Sequence, residues 1–279
     1  AEEVIGDFLS EYAAGRTPNP CLRCNERIKY AALLEKGLAL GYDAVATGHY
    51  ARLVEREHGL ELRRARDTDK DQSYVLGVLD QRQLAHSLFP LGDSLKPQVR
   101  AEAAALGFAV AAKPDSNDIC FIPDGDTAGF LADKLGAAPG RIVDIAGNHL
   151  GEHQGTFRYT IGQRKGLNLG VPSVDGRPRY VVGIDPDARQ VTVGTLDDLV
   201  VDELHGIRPT WTSEPPRGRW RGKVQVRAHG EAMDAWIETR PDDVVMRLDS
   251  GCRGVAPGQY AVCYDGERVV GSSVISGAS

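Results

Sequence analysis

Residues 25–48 read NERIKYAALLEKGLALGYDAVATG, and their periodicity sets the fold class of the front of the chain. Ile28, Ala31, Leu34 and Leu38 recur three or four residues apart, which keeps one helix face apolar over residues 25–40. Asn25 reads as the N-cap and Gly41 as the glycine stop. AVATG (44–48) follows as a short apolar strand ending in a glycine turn. A helix followed by a buried strand is the rhythm of a parallel α/β sheet. In such sheets the carboxyl ends of the strands face the ligand crevice, which puts Gly48 and His49 where a ligand would lie. Taken alone, a His after a strand, as at His49, is usually just a polar loop residue.

Ahead of this unit, AEEVIGDFLSEYAAG (1–15) patterns as an acidic amphipathic helix. TPNPCLRC (17–24) then places Cys21 and Cys24 as a C-x-x-C just before the main helix. A thiolate there gains from the positive helix end and from Arg23, Arg27 and Lys29, all of which lower a thiol pKa. Pro18 and Pro20 stiffen the approach. A pair of packed loop cysteines is the competing reading, and zinc lacks a second ligand pair.

Behind it come a hairpin over 51–65 and helices over about 72–88 and 97–106, the last opened by Pro97 and stopped by Gly107. DTDKDQSYVL (67–76) reads as a solvated helix start, with Asp69 and Gln72 spaced as a capping box. Cys120 sits in KPDSNDICFIP (113–123), between Ile119 and Phe121, as in a short apolar strand. A cysteine in such a strand belongs to the core more often than to a catalytic centre.

From about residue 138 helical periodicity gives way to short β-type runs. Examples are YVVGIDPDARQVTVG (180–194), GKVQVRAHG (222–230), DDVVMRLDS (242–250) and QYAVCYDGERVVGSSVI (259–275). Asp265-Gly266 is a hairpin signal, and TWTSEPPRGRWRG (210–222) falls near the start of a last barrel or sandwich. Cys252 and Cys263 lie within these runs and read as structural.

The bulk numbers limit the function classes. A chain of 279 residues suits two or three domains, and 42% hydrophobic with 26% charged residues is ordinary for a water-soluble globular protein. No apolar run nears the roughly 18 residues of a membrane span. Five cysteines, only two of them close together, argue against a secreted disulfide scaffold and for a reducing cytoplasm. A net charge of −6 excludes a wholly nucleic-acid-coated surface, so any RNA site is a local patch, with basic segments at 158–179 and 208–227.

Seven segments occur in one order: GRTPNPCLRCNERIKY, DAVATGHYARL, DKDQSYVL, FPLGD with KPQVRAEA, KPDSNDICFIP, TIGQRKGL and RGVAPGQ. In that order, and over essentially the whole chain, the sequence resembles the tRNA-specific 2-thiouridylase (MnmA) family. The resemblance implies an ATP-pyrophosphatase domain of adenine-nucleotide α-hydrolase, Rossmann-type α/β fold over residues 1–136. It also implies a small central domain over 137–203 and a C-terminal β-barrel over 204–279. The family's phosphate loop, SGGxDSS, is not in the sequence, and the chain opens in mid-helix without Met. The expectation is therefore an N-terminally truncated fragment that does not activate substrate by itself.

The implied activity is that of a tRNA-uridine 2-sulfurtransferase acting on the wobble uridine (U34). ATP, with Mg2+, adenylates the C2 oxygen, and sulfur delivered as a persulfide by a carrier protein displaces AMP. By the resemblance Cys24 is the nucleophile and Cys120 carries the persulfide, the two closing a transient disulfide. That pairing requires Cα atoms within about 7 Å. Gly48 corresponds to an ATP contact; Asn19, Pro20 and Cys21 touch the target base. His49, Lys70, Asp71, Gln72, Arg227, Ala228 and Gln259 correspond to tRNA contacts, and the target base leaves the anticodon stack.

Two positions depart from the family pattern. Ala228 replaces a common Tyr, and Cys21 stands where many relatives have an Asp for proton transfer. A thiol cannot replace a carboxylate of pKa about 4 as a simple acid–base group. Cys21, Cys24 and Cys120 instead form a candidate three-thiolate ligand set for a [4Fe-4S] cluster, as in some thiolases of the wider superfamily. Competing classes are a cluster-holding RNA-binding module, a thiol–disulfide oxidoreductase on Cys21 and Cys24, and a small-molecule ATP-pyrophosphatase.

Overall fold

The computed structural model describes residues 2–114, 119–170 and 176–279. Residues 115–118 of the Cys120 motif and 171–175 of the first basic segment lie outside the described residues.

The expected amphipathic opening helix is present as α1 (Glu2–Ala13), which buries Val4 and Phe8. The helix carrying the C-x-x-C starts earlier than its apolar periodicity predicts. Asn19, not Asn25, is the N-cap: its Oδ1 accepts from the backbone N–H groups of Cys21 at 3.1 Å and Leu22 at 3.4 Å. Pro20 follows in the first turn, where its fixed φ suits a helix and its missing N–H leaves no orphan. The helix then runs through Pro20–Cys24, a wider i→i+5 stretch over Asn25–Leu33, and Leu34–Ala39, stopping at Gly41 with φ 86°. Cys21 and Cys24 are therefore in the first turns of the helix, and Asn25 is buried inside it.

The expected strand after the helix is β1 (Val45–Ala46). After the expected hairpin, β2 (Ala51–Arg56) and β3 (Gly59–Arg64), comes β4 (Ser87–Leu88), parallel to β1. The single helix expected over 72–88 is two, Ser73–Leu76 and Gln81–Ala85. Asp80 restarts the chain: its Oδ1 accepts from Gln83 N at 2.7 Å, and Asp80 N donates to Gln83 Oε1 at 3.0 Å. The Asp69–Gln72 box does not form, because Gln72 Oε1 accepts from Tyr50 N at 3.0 Å. Lys96–Ala105 with Gly107 at φ 75° matches the last expected helix.

The middle of the chain forms a four-stranded sheet, β6-β5-β8-β7. Its strands are β5 (Gly140–Asp144), β6 (His149–His153), β7 (Tyr180–Asp185) and β8 (Gln190–Gly194). Ile142, Val181, Val191 and Val193 make its core.

The last part is a closed six-stranded barrel. It comprises β9 (Val200–Trp211), β10 (Arg219–Gln225), β11 (Met233–Thr239), β12 (Asp243–Arg253), β13 (Tyr260–Asp265) and β14 (Arg268–Ala278). The order β13-β10-β11-β12-β9-β14 closes through β13–β14, across the Asp265-Gly266 turn with Gly266 at φ 58°. Closure leaves no open edge among these strands. The Pro/Arg-rich stretch 210–222 carries the chain from β9 into β10.

Strand β13 explains why YAVCY is an unbroken apolar run. Ala261 and Cys263 face the barrel interior, while Tyr260, Val262 and Tyr264 join Leu22, Tyr30, Tyr74 and Leu76 of the α/β part. Both faces are buried, at roughly 1.5–3 kcal/mol for each large side chain. Arg64 reinforces the joint, 3.9 Å over the Tyr264 ring, with Nη1 donating to Asp71 Oδ2 at 2.7 Å and Nη2 to Gln225 Oε1 at 2.9 Å. The first-domain helices thus pack on the barrel wall through a shared core.

Candidate functional site

A cavity of about 490 Å³ opens beside the C-x-x-C helix. One helical stripe, Cys21, Cys24, Asn25 and Ile28, forms a wall, because residues three and four apart share a face. Lys29, His49, Gln72 and Cys120 complete the polar and sulfur-bearing part of the lining, with Pro20 and Val75 among its apolar residues. Three thiols from two distant stretches of sequence therefore meet one space.

Cys120 is exposed in a turn, not in the apolar strand expected for it. Its neighbours explain its position: Ile119 and Phe121 pack against the cluster of Phe8, Ile122 and Leu131, with the Phe8 and Phe121 rings 5.3 Å apart. The core holds the flanks and presents the sulfur. All five cysteines are free thiols.

The expected lowering of the thiol pKa is reversed at Cys21. Crowding by protein pushes it up, the charges of Cys120 and Cys24 push it further, and only Lys29 opposes them. The other two cations are already spent on carboxylates. Arg23 reaches Asp7 at 3.1 Å and Glu26 at 2.8 Å, and Arg27 reaches Glu3 at 2.6 Å. Cys21 is a neutral thiol at neutral pH, a hydrogen-bond donor rather than a base.

His49 is buried, and burial together with Lys29 lowers its pKa to about 4. Its Nδ1 lies 2.8 Å from Thr47 Oγ1 and 3.3 Å from the Tyr30 hydroxyl, which is itself 2.8 Å from Thr47 Oγ1. Burial pushes the Tyr30 hydroxyl up to about 12, so the network is uncharged. Gly48 is exposed at the carboxyl end of β1, where an added Cβ would meet only Leu91, at 3.8 Å.

Of the residues singled out from sequence, Pro20, Cys21, Cys24, His49, Gln72 and Cys120 line the cavity together; Asn19, Gly48, Lys70, Asp71, Arg227, Ala228 and Gln259 do not. Asn19 caps the helix, Lys70 ends a short 3-10 turn, and Asp71 accepts from Arg64, Ala65 N and Ser73. Arg227 Nη2 donates to Arg253 O at 3.1 Å, beside the close approach of Gly162 and Gly254. Ala228 packs on the shared core, and Gln259 carries a buried Oε1 without a partner among the described residues. Lys29 was expected beside the thiols, whereas Asn25, Val75, Tyr30 and Thr47 were missed as site residues. Asn25 was legible in principle, since it continues the spacing that begins at Cys21.

Among the described residues, no three His, Cys, Asp or Glu side chains are grouped to hold a metal ion. Cys21, Cys24 and Cys120, the candidate three-thiolate set, do not form such a group as placed. Among the described residues no helix is long and apolar enough to cross a membrane.

Residues 1–124 match a family described as tRNA methyl transferase HUP domain, 128–195 its PRC-barrel domain, and 201–275 an aminomethyltransferase beta-barrel domain. The chain is 62% identical to the tRNA-specific 2-thiouridylase MnmA of Acidothermus cellulolyticus, over 99% of this chain and 76% of the relative. The proteins of the same name from Cutibacterium acnes and Streptomyces coelicolor are 60% and 58% identical, again over 99% of this chain and over 75% and 74% of theirs. With this identity along its whole length, the chain belongs to the tRNA-specific 2-thiouridylase MnmA family.

Proposed function

We propose that the protein is a tRNA-uridine 2-sulfurtransferase that replaces the C2 oxygen of the wobble uridine with sulfur. The observation that carries this reading is the convergence of Cys21, Cys24 and Cys120 on one cavity. The domain descriptions name methyl transfer and the relatives' names sulfur transfer; a chamber lined by three thiols favours sulfur.

ATP with Mg2+ is the co-substrate that converts the C2 oxygen into a leaving group, with Gly48 at the carboxyl end of β1 as the nucleotide contact. Cys120, exposed and held by its half-buried neighbours Ile119 and Phe121, accepts the outer sulfur from a carrier protein as a persulfide. The Cys24 thiolate then attacks Cys120 Sγ, the S–S bond breaks, and HS⁻ is released as the Cys24–Cys120 disulfide forms. HS⁻ adds to C2, and AMP departs with the original oxygen. A cytoplasmic reductant returns the disulfide to two thiols. Lys29, in the wall with no carboxylate among the described residues paired to it, offsets the anionic sulfur.

The test is thiolation of unmodified tRNA by the full-length protein, read by mass spectrometry of the nucleosides. Cys24→Ser and Cys120→Ser are each expected to abolish 2-thiouridine, while Cys21→Ser retains it. Thiolation that survives without Cys24 or Cys120 overturns the disulfide route. Loss in all three variants transfers an essential role to Cys21.

A further inference from the structure

Asn25, one of the residues lining the cavity, carries a buried acceptor that the fold leaves unused. Asn25 is 2% exposed. Its amide orientation is set by one bond, from Nδ2 to the carbonyl of Val75 at 2.8 Å. The same bond holds the C-x-x-C helix against Ser73–Leu76, and both Asn25 and Val75 line the cavity. With the nitrogen committed, the other end of the amide is Oδ1, which has no hydrogen-bond partner among the described residues. A buried acceptor left unmade costs roughly 1–3 kcal/mol, and in native proteins such atoms are nearly always paired. This one is next in sequence to Cys24 and on the same helical stripe.

We infer that Asn25 Oδ1 receives the N3–H of the target uracil and is the residue that selects uracil over cytosine. This rests on the thiouridylase reading and adds to it the recognition of the base. Uracil presents one N–H on its pairing edge, between the C2 and C4 oxygens. Cytosine presents a lone pair at N3, which would face the Asn25 oxygen and repel it. N3 is bonded to C2, so a base held by N3–H on Asn25 brings its reacting carbon beside the turn of helix that carries Cys24. The acceptor cannot rotate into a donor without breaking the Val75 bond, which makes the discrimination rigid. Sites built to hydrogen-bond one edge reject analogues lacking it because their own buried group is left unpaired.

The experiment measures binding of anticodon stem-loops carrying uridine, N3-methyluridine or cytidine at the target position. Full-length wild type is compared with Asn25→Ala, and with Asn25→Leu, of similar volume, should alanine not fold. Wild type is expected to bind the methylated and cytidine stem-loops roughly ten- to a hundredfold more weakly than the uridine one. The variant is expected to bind uridine more weakly and to show no further loss on methylation. Equal binding of all three by wild type overturns the inference alone, as does a full methylation penalty that persists in the variant. Failure of wild type to bind any stem-loop overturns the RNA reading and this inference with it.

Discussion

His49 makes the stability of the protein depend on pH in a way that can be worked out beforehand. In the unfolded chain its imidazole has a pKa of about 6.5. In the fold, burial and Lys29 hold it at about 4. Between these values the unfolded chain binds a proton that the folded one refuses, so the contribution is complete above pH about 6.5 and is lost as the pH falls toward 4. The ratio of the two binding polynomials at pH 5 is worth about 2 kcal/mol, and the full shift about 3 kcal/mol. The perturbation is His49→Gln, which keeps a polar group facing Thr47 and removes the titration. Urea unfolding of wild type and variant at pH about 7.5 and 5 gives a difference of differences in which every other titrating group cancels. Wild type is expected to lose about 2 kcal/mol more than the variant on acidification. Equal losses, or an imidazole that titrates near 6.5 in the folded protein, refute the reasoning. The consequence for the site is that His49 works as a neutral hydrogen-bonding group, not as a cation toward phosphate.

Asn19→Ala removes the acceptor for the Cys21 and Leu22 amides and is expected to cost about 1 kcal/mol, with faster hydrogen exchange at those two amides. Unchanged exchange would remove the cap from the account of how Cys21 and Cys24 are positioned. Iodoacetamide without denaturant is expected to label the exposed Cys120 and to leave Cys263 untouched until the chain unfolds, because burial closes off that thiol and pushes it up to about 12. Native-state labelling of Cys263, read by peptide mass mapping, contradicts the closed barrel interior.

Much of the architecture was legible because it is local. The apolar stripe from Ile28 to Leu38, the stops at Gly41 and Gly107 and the Asp265-Gly266 turn depend on residues within a turn or two of each other. The errors arose where two local signals competed. Asn25 and Asn19 both suit a cap, and the choice fell to Asn19 because Pro20 follows it and Asn25 is claimed by Val75. The 72–88 periodicity hid a restart at Asp80 for a similar reason: its partner, Gln83, lies inside the apolar pattern.

The sequence therefore sufficed for the α/β-then-β order, the turns and stops, and the family to which the chain belongs. Packing alone brought Cys120 to the cavity, by anchoring Ile119 and Phe121 beside Phe8. Packing also paired Arg23 and Arg27 with carboxylates, leaving Lys29 to act on the thiols. It gave β13 two buried faces, and it left Asn25 Oδ1 without a partner among the described residues. Backbone preference and periodicity reach only a few residues along the chain. Desolvation, ion pairing and the meeting of thiols far apart in sequence depend on which surfaces are pressed together in space.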